Sequence, residues 1–208
     1  MADTDETLLE LFRKQGALLE GHFVLTSGRH SAHYLQCARV LMEPALATRL
    51  GRRLAKKIRP LLRGDEPTAA VAPAVGGVLV AHEVARALGC RGLFTERQGG
   101  VMTLRRGFRL GPGDLVVVVE DVITTGGSTR EVIEAVRGLG AQVLAAGSLV
   151  DRSGGGADLG VPTCSLLAVE VESYPPEDCP LCRSGSPAIK PGSRDLGSGP
   201  APAAPAGA

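Results

Sequence analysis

The chain is poor in aromatic residues: it has no Trp, two Tyr and four Phe in 208 residues. A stacking platform for single-stranded nucleic acid needs exposed rings, and an aromatic-belted membrane protein needs more of them, so both classes are disfavoured. Long apolar runs are missing as well. The longest, Ala69 to Ala81, is broken by Pro73, Gly76 and Gly77 and falls well short of the roughly 20 residues of a spanning helix. Nor is there an excess of one charge: 23 basic residues face 22 acidic ones. A protein that grips duplex DNA through its phosphates is normally more lopsided. The start, Met1 to Glu6, is acidic where a signal peptide is basic, and no apolar core follows it. The expectation is a cytoplasmic protein with neither a nucleic-acid nor a membrane partner. Five cysteines, an odd number, are then expected to be reduced. Cys37, Cys90 and Cys164 stand among apolar or small neighbours and are expected in the core. Lysine is scarce too. Of the 23 basic residues only Lys14, Lys56, Lys57 and Lys190 are Lys; base composition explains most of the skew, and recognition of phosphate or carboxylate by the guanidinium fork explains the rest.

What is present fits one α/β domain. The hydrophobic fraction of 44% excludes wholesale disorder, and the length suits a single core. A first helix is expected from Asp3, with Glu6 at capping-box spacing and Leu8, Leu11, Phe12 and Leu19 on one face. Phe23 to Arg29 reads as a short strand and turn. A second helix starts at Pro44, a good first-turn residue, and runs through Leu46, Leu50, Leu54 and Ile58, its basic face solvated. Strands are then expected at Thr68–Ala72, Gly92–Thr95, Leu115–Val119, Gln142–Val150 and near Cys164–Glu170. Helices are expected at Val78–Leu88 and Ser128–Arg137, the latter with Ser128 and Glu131 as a capping box. Such alternation implies right-handed crossovers and a mostly parallel sheet flanked by helices. Glu96 to Gly113, Arg-rich and Gly-rich, is expected as a loop or β-ribbon. Residues 195–208 are low-complexity Gly, Pro and Ala and read as a disordered tail.

The chemistry concentrates in Val116-Val117-Val118-Val119-Glu120-Asp121-Val122-Ile123-Thr124-Thr125-Gly126-Gly127-Ser128-Thr129. A buried strand leads into two acids, then a loop of small and hydroxylated residues, then a helix start. Ligands of open α/β sheets bind at the carboxyl ends of strands. A helix N-terminus preceded by glycines offers free N–H groups and the positive end of a dipole, which hold phosphate. Carboxylates repel phosphate, so Glu120 and Asp121 need other partners, and ribose hydroxyls with a divalent cation are the natural ones. A sugar phosphate with Mg2+ satisfies the whole segment. The usual nucleotide fingerprints, G-x-x-x-x-G-K-[ST] and G-x-G-x-x-G after a strand, are absent.

This segment resembles the phosphoribosyl-diphosphate signature of the type I phosphoribosyltransferases. Phe23-Val24-Leu25-Thr26-Ser27-Gly28-Arg29-His30-Ser31 resembles the N-terminal substrate segment of the orotate branch. Val150-Asp151-Arg152 stands where that branch has its orotate-contacting Arg, and Ala72-Pro73-Ala74-Val75-Gly76-Gly77 where it has a pyrophosphate loop. The resemblance runs from about Leu8 to Arg194. It implies a type I phosphoribosyltransferase domain over 1–194, with an N-terminal substrate hood at about 1–40 and a core at about 60–170. It implies transfer of the 5-phosphoribosyl group to orotate, giving orotidine 5′-monophosphate and pyrophosphate in pyrimidine biosynthesis, and a homodimer. Residue by residue, it implies that Glu120, Asp121, Val122, Ile123, Thr124, Thr125, Gly126, Gly127 and Ser128 bind the phosphoribosyl group. Val75, Gly76 and Gly77 would receive the pyrophosphate. Thr124, Arg152, Tyr34, Leu35 and Thr26 would meet orotate. No protein ligand is assigned to Mg2+, which would be held mainly through the substrate.

The chain departs from the family where a mobile Lys-x-x-Lys-x-His loop is expected. Glu96-Arg97-Gln98-Gly99-Gly100-Val101-Met102-Thr103-Leu104-Arg105-Arg106 stands there instead, so Arg97, Arg105 or Arg106 would supply the positive charge on the leaving group. Thr26 and Gly76 replace residues that are often Lys. His22, His30, His33 and His82 form no dyad in the sequence, and His82-Glu83 reads as surface helix. Cys179-Pro180-Leu181-Cys182 is half of a zinc ligand set; completing it would take Cys37, Cys90, Cys164, a His or another subunit. Zinc, a reversible disulfide and a plain turn with two thiols all remain open. Two other readings compete: a purine-type phosphoribosyltransferase, and a regulatory protein that senses phosphoribosyl diphosphate.

Overall fold

Val116 to Val119 are β-branched and wholly buried, a pattern that suits a central strand covered on both faces. A computed structural model, describing residues 5–25, 27–169 and 171–191, builds the fold around it. In chain order come α1 (Asp5–Lys14), β1 (Leu18–Val24), β2 (His30–Leu35), α2 (Ala38–Leu41) and α3 (Pro44–Ile58). A 3-10 turn (Arg59–Leu62) leads to β3 (Ala69–Pro73), α4 (Gly77–Leu88), β4 (Arg91–Gln98) and β5 (Val101–Leu104). Then follow β6 (Leu115–Ile123), α5 (Gly127–Gly138), β7 (Gln142–Asp151), β8 (Thr163–Ala168), a 3-10 turn (Pro176–Asp178) and α6 (Pro180–Arg183). The expected helix start at Asp3 and the tail 195–208 lie outside the described residues.

The six-stranded sheet has the order β5-β4-β3-β6-β7-β8. Only the β4–β5 pair is antiparallel. Successive side chains of a strand point to opposite faces, so β6 feeds two cores. Val117 and Val119 join Leu50, Leu54, Ile58, Val80 and Val84 of α3 and α4 on one face. Val116 and Val118 join Val132, Ile133 and Val136 of α5 on the other, with Met102 of the β4–β5 ribbon. Leu8 and Phe12 of α1 bury against the first face.

Leu19, expected on the face of the first helix, lies in β1, because α1 ends at Lys14, and three further expectations need correction. The strand expected at Leu115–Val119 continues to Ile123, because Glu120, Val122 and Ile123 keep pairing with Ser148, Val150 and Asp151. Ser128 does not cap α5: Gly126 holds the cap position, with no side-chain hydrogen bond, and Ser128 lies inside the first turn. Glu131 turns to Arg97 instead, at 2.8 Å. Third, the short strand and turn at Phe23–Arg29 is a whole hairpin, β1–β2, forming its own two-stranded sheet. The register of β1 slips between Glu20 and Phe23. Such a bulge lets consecutive residues point the same way, and His22 and Phe23 are both buried. The C-terminal segment flanks this hairpin: His30 exchanges backbone hydrogen bonds with Tyr174, and Ile189 bonds to His22 and Val24.

Candidate active site

β3 and β6 are neighbours and parallel, so their carboxyl ends lie side by side, and each runs straight into a glycine-rich loop and a helix. The loops touch at the acid pair. A Cβ on Gly76 would stand 2.6 Å from Asp121 Oδ2, and one on Gly77 would stand 2.7 Å from the Ala72 Cβ and 3.4 Å from Glu120 Oε1. Glycine is therefore a packing requirement at both positions, set at Gly76 by the Asp121 carboxylate and at Gly77 by Ala72 of β3. Val75 beside them is 86% exposed, and the Ala74–Val75 peptide is cis.

The second loop shapes an anion cradle. Gly126 turns the chain with φ 76°, and no acidic residue follows in the first turn of α5. Its first N–H groups have no partner within the helix, and the positive end of the dipole lies among them. Thr124, Thr125, Gly126, Gly127 and Ser128 line a cavity of about 540 Å3. Arg130 braces the loop from below. Its guanidinium donates to the Thr125 carbonyl at 2.7 Å and to the Asp158 carbonyl at 2.9 Å.

Glu120 is 7% exposed. Burial, and then the neighbouring charge of Asp121, push its carboxyl up to about 9, while the Thr129 hydroxyl opposes the rise. Asp121 accepts the Val122 N–H at 2.9 Å. On the far side of the cavity stand Tyr34 and Leu35 of the hairpin and Arg152, just past β7. Burial and Asp121 raise the Tyr34 phenol, with Arg152 opposing. Burial lowers the Arg152 guanidinium, with Tyr34 and Cys37 opposing. Arg152 anchors its backbone N–H on the Ile123 carbonyl at 2.8 Å, yet its buried Nε has no hydrogen-bond partner. A buried unpaired donor is costly, and this one belongs to a side chain that lines the cavity.

A second cavity of about 530 Å3, lined by Ala74, Val75, Gly76, Glu96 and Arg97, shares Arg97, Glu120 and Ser128 with the first. The structure thus brings together Glu120, Asp121, Val122, Thr124 to Ser128, Arg152, Tyr34, Leu35, Arg97, Val75 and Gly76. Gly77 sits behind them against Glu120, and Ile123 packs into the core below. Arg105 and Arg106 line neither cavity. Arg106 clasps Glu96 with two hydrogen bonds of 2.8 Å, and Arg105 is exposed on the same ribbon. Thr26 lies outside the described residues. Arg130 and Gln36 were not legible as site residues; Arg130 acts through carbonyl groups, which leave no mark in a sequence. The histidines correct another expectation: His22 Nε2 and His30 Nδ1 are 2.8 Å apart. His82 does sit exposed on its helix, against Arg86.

Known proteins resemble this chain in sequence and fold. Residues 40–161 match the family model described as phosphoribosyl transferase domain, and the chain belongs to that family. An orotate phosphoribosyltransferase of Pelotomaculum thermopropionicum is 58% identical over 193 residues, covering 93% of this chain and 100% of the relative. Within the family, then, the chain belongs with the orotate phosphoribosyltransferases. Among solved structures, the orotate phosphoribosyltransferase of Aeropyrum pernix matches with a TM-score of 0.64 and 31% identity, covering 78% of this chain and 94% of its own. An adenine phosphoribosyltransferase of Rhodothermus marinus matches with a TM-score of 0.59 at 22% identity, covering 79% of this chain and 99% of its own. That likeness speaks for the fold alone.

Proposed function

We propose that the protein transfers the 5-phosphoribosyl group of phosphoribosyl diphosphate to orotate, releasing orotidine 5′-monophosphate and pyrophosphate, a step of pyrimidine biosynthesis. One observation carries the choice of base: the Arg152 guanidinium lines the cavity, and its Nε has no partner within the protein. Orotate brings a carboxylate that such a donor pairs with, whereas a purine does not. Tyr34 and Leu35 form the wall on which the ring would rest.

Displacement at the anomeric carbon builds positive charge on the ribose and negative charge on the departing pyrophosphate. Positioning and electrostatic stabilisation then supply most of the catalysis. The free N–H groups and hydroxyls from Thr124 to Ser128 hold the 5′-phosphate. Glu120 and Asp121 face the ribose 2′ and 3′ hydroxyls and fix the ring beneath the base. The peptides of Val75, Gly76 and Gly77 receive the pyrophosphate, and Arg97, between the two cavities, supplies the cation beside it. Arg105 and Arg106 would approach only if the ribbon moved. The nitrogen of orotate is readily deprotonated, so no protein base is required.

Mg2+ fits the donor set. Glu120 and Asp121 offer oxygen donors to the first cavity and Glu120 to the second as well; Mg2+ is usually held by one or two carboxylates together with substrate phosphates, and its binding would release the proton that burial keeps on Glu120. When bound it would act as a Lewis acid on the departing oxygens, held mainly through the substrate. The domain is proposed to span 1–194, with the hood at 1–40 and the core at 60–170. A homodimer is proposed from the resemblance to the family. The cytoplasm is the proposed location, supported by five free thiols; no helix among the described residues is long and apolar enough to cross a membrane. The test is a base screen with phosphoribosyl diphosphate and Mg2+. Loss of orotate absorbance with release of pyrophosphate is expected; consumption of a purine in its place would overturn the reading.

A further inference from the structure

At the β1–β2 hairpin four side chains converge that the proposed reaction does not use. His22 and His30 come from the two strands of the hairpin, and Cys179 and Cys182 from the C-terminal segment. One donor atom of each lies within 4.8 Å of all the others. His22 Nε2 is 2.8 Å from His30 Nδ1, 3.5 Å from Cys179 Sγ and 3.7 Å from Cys182 Sγ. Cys182 Sγ is 3.2 Å from His30 Nδ1. With Zn–N of about 2.0–2.1 Å and Zn–S of about 2.3 Å, tetrahedral donors stand roughly 3.3–3.8 Å apart. The cluster needs only small side-chain shifts to reach that figure.

One ring of the cluster is oriented from outside it. His22 Nδ1 lies 2.8 Å from the Ser186 carbonyl. A carbonyl only accepts, so Nδ1 carries a proton and Nε2 is the ring nitrogen turned toward the other three groups. Metal-ligating histidines are typically oriented by such a bond from the second nitrogen. The backbone is organised to the same end. The paired bonds of His30 with Tyr174 fix the chain before the cysteines, and the bonds of Ile189 to His22 and Val24 fix it after them. Cys179 closes into α6 by accepting the Arg183 N–H, which places its thiol and that of Cys182 on one side. Cys179 is wholly buried, and His22 and His30 are 3% and 9% exposed.

We propose that His22, His30, Cys179 and Cys182 form a structural zinc site that clamps the C-terminal segment onto the substrate hairpin. Two thiolates and two neutral imidazoles form a Cys2His2 set, which leaves no open position and neutralises the ion. The site is built for support: it holds the strands that carry Leu25, Tyr34 and Leu35 to the cavity wall. Mg2+, which demands oxygen donors, has no place in it. The inference is independent of which base the enzyme takes.

The tag-free chain, purified without chelator, is expected to retain about one zinc ion per protomer through gel filtration, measured by mass spectrometry of the metal. Stripped and refilled with cobalt, it should show the visible bands of tetrahedral coordination with thiolate charge transfer, and zinc should displace them. Thermal stability should fall on stripping and recover with zinc but not with magnesium. C182S should lose both the metal and the bands. If that variant does not fold, the wild-type chain still decides the matter. In it, two thiols should resist a thiol reagent until a zinc chelator is added. A fully reduced chain that neither retains zinc nor develops the cobalt bands would overturn the proposal. So would a Cys179–Cys182 disulfide in the freshly isolated protein.

Discussion

The acid edge of the sheet and the hairpin corner are both built to hold charged or polar groups in place, and they do so by opposite means. At the edge, strand, acids, loop and helix follow one another without a break from Val116 to Thr129. The long-range partners, Gly76, Arg97 and Arg152, fit around a frame that is already complete. At the corner nothing is local. His22 meets Cys179 across 157 positions and Cys182 across 160, and the hairpin keeps its form through bonds to a segment at the other end of the chain. An element that carries its own frame can lose a side chain and keep its fold. One that is closed by distant contacts cannot be expected to.

The largest effect is expected at the edge. Asp121→Ala removes the side chain proposed to face the ribose while β6 keeps its pairing with β7. Turnover should fall by about a thousandfold, at the upper end for loss of one oriented polar group, while the melting temperature stays within a few degrees. Steady-state rates and a thermal melt on the same preparation check both halves. Near-normal turnover would remove Asp121 from the ribose clamp, and unfolding would show that the edge is less self-sufficient than its geometry implies.

Arg152→Ala probes the face where the edge meets the hairpin. Truncating one partner of a buried charge pair typically costs 2–5 kcal/mol, about thirty- to several-thousand-fold in affinity. The KM for orotate should rise within that range, and the KM for phosphoribosyl diphosphate should change little. An equal change in both would move Arg152 from base recognition to general upkeep of the cavity. The variant also removes the unpartnered Nε, so stability without ligand should hold or rise.

The same contrast explains what a reader of the sequence could see. The edge was legible because its chemistry is contiguous: four valines, two acids, hydroxyls, glycines and a helix start, each with a physical reason to follow the last. Even there the strand end was set too early, because Glu120 and Asp121 look like loop residues until β7 is alongside to pair with them. The corner was legible only in halves. Cys179 and Cys182 declared a ligand pair, but their partners lie on a hairpin that the sequence hides. Its second strand, His30–Leu35, has no apolar run, and the bulge before Phe23 breaks the alternation of the first. Periodicity could not predict two histidines turned to one point, because the bulge and the distant C-terminal segment aim them.

The smallest effect, in stability rather than rate, separates the two regions most cleanly. Glu120 is about 9 in the folded chain and 4.5 as an ordinary glutamate. The folded state favours its protonated form, so the stability it contributes is fully present below about pH 4.5 and is lost as pH rises through the window to about 9. At pH 8 the unfolded chain has released a proton that the folded chain still holds. Each unit of that difference is worth about 1.4 kcal/mol, so the penalty is several kcal/mol at most. Glu120→Gln has no proton to lose in either state. It should therefore melt higher than the wild type at pH 8, and the gap should close as pH falls toward 5, while activity drops because an amide cannot ionise when substrate and Mg2+ bind. Thermal melts of both proteins across that range decide it, and parallel pH profiles would reject the account. The expected outcome means that the edge holds its acid at the expense of the fold, the opposite of what zinc is expected to do at the hairpin corner.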